Sequence, residues 1–516
     1  MRYLTYSGNT LIHAQLPPSA RVLHPPAALP GIPNRDIPAA VRRAFENPLG
    51  MAPLRDLVNR DSRLLICFDD NCQPFPPMRA PDIRELCLEA LLGMLDSYGV
   101  QKKNILLMCA VALHRKMKPF ELEFMVGKRI FAEYYPQQLK NFDAEDRADI
   151  VQVGQTERGE VVETTRAAID ADLIIYVDTI SIPLNGGHKS VAVGLGTYDS
   201  IATHHAPSMT ADSPHVMQPE GSQMHGCIER LSKVIQQKTP IMVLEAPMNG
   251  NTYPPHMSFL AKSAENANGF EKLLQNVSPA AMSLLPESVR FSIFKGLRSA
   301  YAPLEINAGA IDAVHDRTLA ALRPQLEVNV DKQFDTLVFG LPDLSPYSVG
   351  TRINPVLVVS DVLGYIFNWF WGRPFVKKGG VVIILNPVFE HFHPEYHVAY
   401  RRFYDEVLTE TAEPFEMQQR FQEKFARDPA LVDAYRNKYA HHGFHPFTVW
   451  YWATYPLKYL SRVILVGPPD GRTAKRLGVS WAPNLKHALG QARELTGGDE
   501  VVALSIPPFM YLNVKK

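Results

Sequence analysis

The chain has 516 residues, more than one hydrophobic core ordinarily organises, so two domains are expected. Lys plus Arg and Asp plus Glu both number 53, which leaves no net field to draw the protein to nucleic acid or to a membrane surface. The five cysteines are few, odd in number and without C-x-x-C spacing; they argue against a disulfide scaffold or structural zinc site and for a reducing, cytoplasmic setting.

In chain order, MRYLTYSGNTLIHAQLP has no basic region leading into an apolar run, so no secretory signal is expected. LPPSARVLHPPAALPGIPN is proline-rich and reads as an extended wrapping segment. RLLICF, from Arg63 to Phe68, is a short apolar strand ending at Asp69 and Asp70. DIRELCLEALLGMLDSYG has helical spacing with Gly99 as its stop, and NILLMCAVAL is a buried strand ending at His114. ETTRAAIDA is a short helix, and DLIIYVDTISI and PIMVLEAPM are further strands. This rhythm predicts βαβ units and a mostly parallel sheet, with ligands at the carboxyl ends of the strands.

A second α/β unit is expected after about residue 275, with strands in FDTLVFGLPD, KKGGVVIILNP and SRVILVGPPDG around a charged helical block. VLGYIFNWFWGRPF is the most apolar stretch, but Gly364, Asn368 and Gly372 interrupt it and it is too short to span a bilayer. EVVALSIPPFMYLN reads as a final strand. The fold class is therefore α/β: residues 1–275 and 276–497 as two domains, each a mostly parallel sheet flanked by helices, with the tail 498–516 free to return to the first.

The richest chemistry lies in SIPLNGGHKSVAVGLGTYDSIATHHAP, from Ser181 to Pro207. Gly186 and Gly187 carry no Cβ and let backbone approach a ligand; Lys189 and Ser190 follow, then His204 and His205. A phosphate-binding loop would need an earlier glycine and an adjacent Gly-Lys pair, and His188 intervenes. On the residues alone, a glycine turn opening a helix, with Lys189 solvated, stands beside a ligand-binding reading.

GGHKSVAVGLGTYDSIATHH resembles the signature of the nickel-pincer nucleotide-dependent lactate racemases. FENPLG (Phe45 to Gly50), DDNCQPFP (Asp69 to Pro76), ALHR (Ala112 to Arg115), GLPDLSPYS and KKGGVVIIL follow the same family's pattern in order. The resemblance implies a two-domain fold with the active site in the cleft between domains. It implies Lys189 joined by a thioamide to a pyridinium-3,5-bisthiocarboxylic acid mononucleotide, the nickel-pincer nucleotide, and His205 as the protein's nickel ligand. Asp70, Gly186, Gly187 and Ser190 would join Lys189 in binding that cofactor, and cofactor-synthesis proteins would be partners. Imidazole suits nickel, and a lysine amine can bond an activated acyl group. His204 is read as a neighbour, since adjacent helical residues point about 100° apart.

In the family the substrate's α-hydrogen leaves as hydride and returns on the other face, while one histidine per face serves the hydroxyl. His114, in ALHR, matches the first. Thr179 stands where the second is expected, and Gln73 stands at the arginine that clamps the substrate carboxylate. Tyr347 is kept, Ser348 and Thr351 replace a glutamine and a lysine, and Arg352 is the residue expected to restore the charge. Trp450 is placed at the site, and the aromatic insertion GYIFNWFWGRPF is able to enlarge the pocket. The reading is an isomerase, a racemase or epimerase of a 2-hydroxy acid other than lactate, with His114, Lys189 and Arg352 catalytic and Gln73, Thr179, Tyr347 and Trp450 contacting substrate. Another hydride-transfer reaction on a hydroxy compound, or a non-catalytic cofactor carrier, are the alternatives. A separate metal site among His391, His393, His397, His441, His442 and His445 is a rival reading, and second-domain histidines facing the cleft, one of them replacing the missing base, are the other reading of that cluster.

Overall fold

The computed structural model describes residues 1–73 and 75–515. Two six-stranded sheets dominate it. The first runs, edge to edge, Asn307–Gly309, Ile241–Pro247, Leu173–Ile180, Leu64–Asp69, Ile105–Ala110 and Leu139–Asn141. All its pairs are parallel except the edge pair Ile241–Pro247 with Asn307–Gly309. Leu64–Asp69 and Leu173–Ile180 are buried at every position, which is why they read as mostly apolar runs and not as alternating strands. Helix Ile83–Ser97 starts where the Asp82 side chain accepts the Arg84 main-chain N–H.

The second sheet is parallel throughout: Ser480–Ala482, Arg462–Val466, Val376–Leu385, Phe334–Gly340, Val501–Leu504 and Arg21–Leu23. Two elements depart from the expected division of the chain. Residues beyond 275 still belong to the first sheet, where Asn307–Gly309 forms its edge and helix Ile311–Leu326 packs on Ile241–Pro247. The C-terminal stretch does not return to the first sheet. Val501–Leu504 pairs with Phe334–Gly340, and Tyr511–Val514 pairs with Glu327–Val330 and Phe370–Trp371 in a small third sheet. Prolines 507 and 508 separate those two strands, since proline cannot donate to a ladder. The N-terminal proline-rich segment does wrap. Arg21–Leu23 closes the edge of the second sheet, and the chain then crosses to the first unit, where the Ile32 N–H donates to the Pro303 carbonyl.

The charged block after residue 394 is helical but broken into short pieces, with π-helical turns at Phe403–Val407 and Gln418–Gln422. It ends in helix His445–Tyr451, whose residues are all buried. No helix among the described residues is long and apolar enough to cross a membrane.

Candidate active site

A cavity of about 170 Å³ lies where the carboxyl ends of the first sheet's strands face the second unit. Asp69, Ala110, Tyr176 and Asp178 reach it from the first sheet, Phe339 and Leu341 from the second. This is where parallel α/β sheets place ligands.

Lys189 lines the cavity from the first turn of helix His188–Gly194. Burial lowers its amine below the ordinary lysine range, against the pull of Asp178, Asp69 and Asp70. Gly187, with φ 60°, caps that helix, and its N–H donates to Glu245 Oε1 at 2.6 Å. A Cβ on Gly186 would stand 2.6 Å from the same oxygen, and one on Gly187 would stand 2.8 Å from His315. The glycine pair is thus required by the protein's own Glu245 and His315; Gly186 faces the cavity and Gly187 is turned to that wall. Ser190 also lines the cavity and donates to Asp178 Oδ2 at 2.6 Å.

His205 follows helix Tyr198–His204 and lines the same cavity, its Nδ1 buried without a partner. Burial, reinforced by Lys189, pushes its pKa down to about 3, so it presents a neutral imidazole. His114 sits opposite, half-buried, with Nδ1 2.7 Å from Asp70 Oδ2. Asp70 Oδ1 accepts the Cys72 N–H at 2.8 Å. Burial works to raise the Asp70 carboxyl, but His114 holds it below the usual carboxylate range. With Nδ1–H on Asp70, the His114 Nε2 lone pair is left for a substrate proton. Behind this pair lie Asp69 and Asp178. Burial, then the Asp69 charge, drives Asp178 well above the carboxylate range.

Residues 7–217 match the family described as lactate racemase N-terminal domain. The N-terminal part of the chain is thus similar to the N-terminal domain of the lactate racemases. The chain is 24% identical over 169 residues to the lactate racemase of Thermoanaerobacterium thermosaccharolyticum and 25% identical over 194 residues to that of Lactiplantibacillus plantarum. These matches cover 32% and 37% of this chain, and the chain spans only 37% and 42% of the two enzymes' lengths. The fold likeness is broader. The lactate racemase apoprotein from T. thermosaccharolyticum superposes with a TM-score of 0.64 at 16% identity, covering 99% of this chain and all of that one. A Thermotoga maritima protein gives 0.53 at 14% identity, covering 95% of this chain.

In this lactate racemase-like chain, four of the site positions inferred from sequence lie elsewhere. Gly187 is the first, as described. Thr179 is fully buried away from the cavity, its main-chain N–H on Asp69 Oδ2 at 2.9 Å. Strand side chains alternate, and Tyr176 and Asp178 take the cavity face. Arg352 is outside the lining, its guanidinium on Glu287 at 2.7 Å and over the Phe389 ring. Trp450 is buried with Nε1–H on the Ala412 carbonyl at 3.1 Å. Trp452 lines the cavity in its place and lies 5.5 Å from the His205 ring. Two residues along a helix turn about 200°, which reverses the face presented.

Gln73 and Tyr347 do line the cavity. The rival histidine metal site is not assembled among the described residues. His393 Nδ1 accepts turn N–H groups, His397 Nε2 meets the Tyr347 carbonyl at 3.0 Å, and His442 Nε2 meets Glu145 at 3.2 Å. The donors that do cluster are Asp70, Cys72 and His114, within 4.8 Å of one another, where the Asp70–His114 hydrogen bond accounts for the closeness.

His445, one of those histidines, does face the cleft. It lines the cavity, with Nδ1 2.7 Å from the Tyr400 hydroxyl and its ring 5.0 Å from that of His114. The aromatic insertion supplies Tyr365 and Trp369 to the wall, and Tyr365 shares a 2.5 Å hydroxyl contact with Tyr347. The C-terminal stretch adds Pro507 and Phe509, which nothing local in the sequence announces.

Proposed function

We propose that the chain is a racemase or epimerase acting at a hydroxyl-bearing carbon, in the 2-hydroxy acid series but not on lactate, with a lysine-tethered nickel-pincer nucleotide. The reading rests on one juxtaposition: Lys189, His205 and the His114–Asp70 pair converge on one cavity. The residues fit such a group. Lys189 is a buried amine of lowered basicity facing open space, and His205 is a neutral imidazole with an unpartnered nitrogen. Lys189 would tether the cofactor and His205 would ligate nickel, with Ser190 and Asp178 beside the tether. When bound, the cofactor supplies a carbon that takes the substrate's α-hydrogen as hydride and gives it back.

The chain's own residues handle the proton. His114, oriented by Asp70, accepts the hydroxyl proton on Nε2 and returns it as the carbonyl is reduced again. Thr179 cannot serve a second face from its buried position, and its hydroxyl is no base near neutral pH. His445 stands beside His114, its Nδ1 fixed by Tyr400 and its ring 5.0 Å away, and is the second imidazole the site offers the hydroxyl. The test is chiral analysis of a panel of hydroxy compounds with protein made alongside the cofactor-synthesis proteins. Racemisation without net oxidation is expected, and His445→Asn is expected to slow it roughly 10²–10⁴-fold with cofactor still attached. Accumulation of an oxo product, or bound cofactor without turnover, would favour the two alternatives; an unchanged rate in His445→Asn would remove that residue from the mechanism.

A further inference from the structure

The cavity has acids and no spare cation. Asp69, Asp70, Asp178 and Asp361 line it, and among the described residues Lys189 is the one Lys or Arg side chain that does. Lys189 is consumed if it forms the thioamide tether. The nearby arginines are committed: Arg84 to Asp82 and three main-chain carbonyls, Arg115 to Glu121, and Arg352 to Glu287. A substrate carboxylate here would be buried next to Asp70 without a fork to hold it.

Gln73 points the same way. It lines the cavity, and its Oε1 is buried with no partner. A carboxylate only accepts hydrogen bonds and leaves that oxygen unpaired. A carboxamide both donates and accepts, so it matches the glutamine amide edge to edge, whichever way that amide is turned. The remaining wall is aromatic: Phe75, Tyr365, Trp369, Trp452 and Phe509. A methyl-sized substrate would leave most of that surface uncovered.

We infer that the site takes an uncharged 2-hydroxy carbonyl compound with an aromatic or large apolar side chain, a 2-hydroxy carboxamide paired to Gln73 being the best match. This rests on the racemase reading for the reaction and narrows its substrate from a 2-hydroxy acid to the uncharged amide of one, since the recognition is a matter of charge and hydrogen bonding.

The experiment is calorimetric titration of 3-phenyllactamide against 3-phenyllactate. It uses protein loaded with cofactor and, separately, the full chain with Lys189→Met, which removes the competing amine. The amide is expected to bind roughly tenfold tighter or more in both, as the cost of an unpaired buried group implies. Gln73→Arg is expected to reverse the order. Phenyllactate binding as tightly as its amide, or neither compound binding, overturns the inference. Chiral analysis of the amide with loaded protein keeps the two claims apart. Tight binding without epimerisation counts against the racemase reading alone, and racemisation with a preference for the acid counts against the substrate class alone.

Discussion

Protein produced together with the cofactor-synthesis proteins is expected to carry one adduct of mononucleotide size on Lys189, and Lys189→Ala to carry none. The expectation is all-or-none because one amine forms the bond. Lys189 is the one lysine lining the cavity among the described residues, and burial keeps its amine less basic than a surface lysine, which favours the unprotonated nucleophile. Intact mass followed by peptide mapping reads it out. His205→Ala separates the tether from the metal: the adduct is expected to remain while nickel is lost, because the imidazole takes no part in the covalent bond. An adduct on another residue, or nickel retained in His205→Ala, would require a different attachment or ligand, with His204 the neighbour to examine. His204 is fully buried with both ring nitrogens unpartnered.

The second large effect is expected at the proton-handling pair. His114→Ala should reduce turnover roughly 10²–10⁴-fold while leaving adduct and nickel in place. Asp70→Asn tests how that histidine is held. Asp70 orients the ring through a 2.7 Å hydrogen bond to Nδ1 and is itself fixed by the Cys72 N–H at 2.8 Å. An asparagine that turns its NH₂ to Nδ1 would favour the wrong tautomer, placing the proton on Nε2 where the lone pair is needed. The variant should therefore lose kcat by more than it changes KM, since the lost tautomer acts in the proton transfer. Steady-state kinetics on the loaded protein checks both. A KM effect in Asp70→Asn without a kcat effect would recast Asp70 as a binding residue.

Much of the framework could be read from local sequence because it follows from local rules. Strands such as Leu64–Asp69 and Leu173–Ile180 are mostly apolar because both faces of a parallel sheet are covered. Asp70, His114 and Lys189 fall just after such strands, so their convergence on one cavity follows from the topology. The misplacements have equally physical origins. Thr179 differs from Asp178 only in strand parity, and the alternation of side chains along a strand separates the two. Trp450 and Trp452 sit on opposite helix faces, so a register uncertain by two residues selects the wrong ring. Arg352 is drawn away by Glu287, a partner far off in sequence. The exchange of edge strands, with Arg21–Leu23 and Val501–Leu504 side by side in the second sheet, is a long-range pairing that no local pattern encodes.

The most direct measurement of the central claim is the fate of the α-hydrogen. An α-deuterated hydroxy substrate is racemised in ordinary water by the loaded protein, and both enantiomers are analysed by mass spectrometry. Transfer as hydride to and from carbon does not exchange with solvent, so deuterium is predicted to stay in both. Its replacement by hydrogen from water at the rate of racemisation would mean that a base removes the α-proton directly, and would contradict the account.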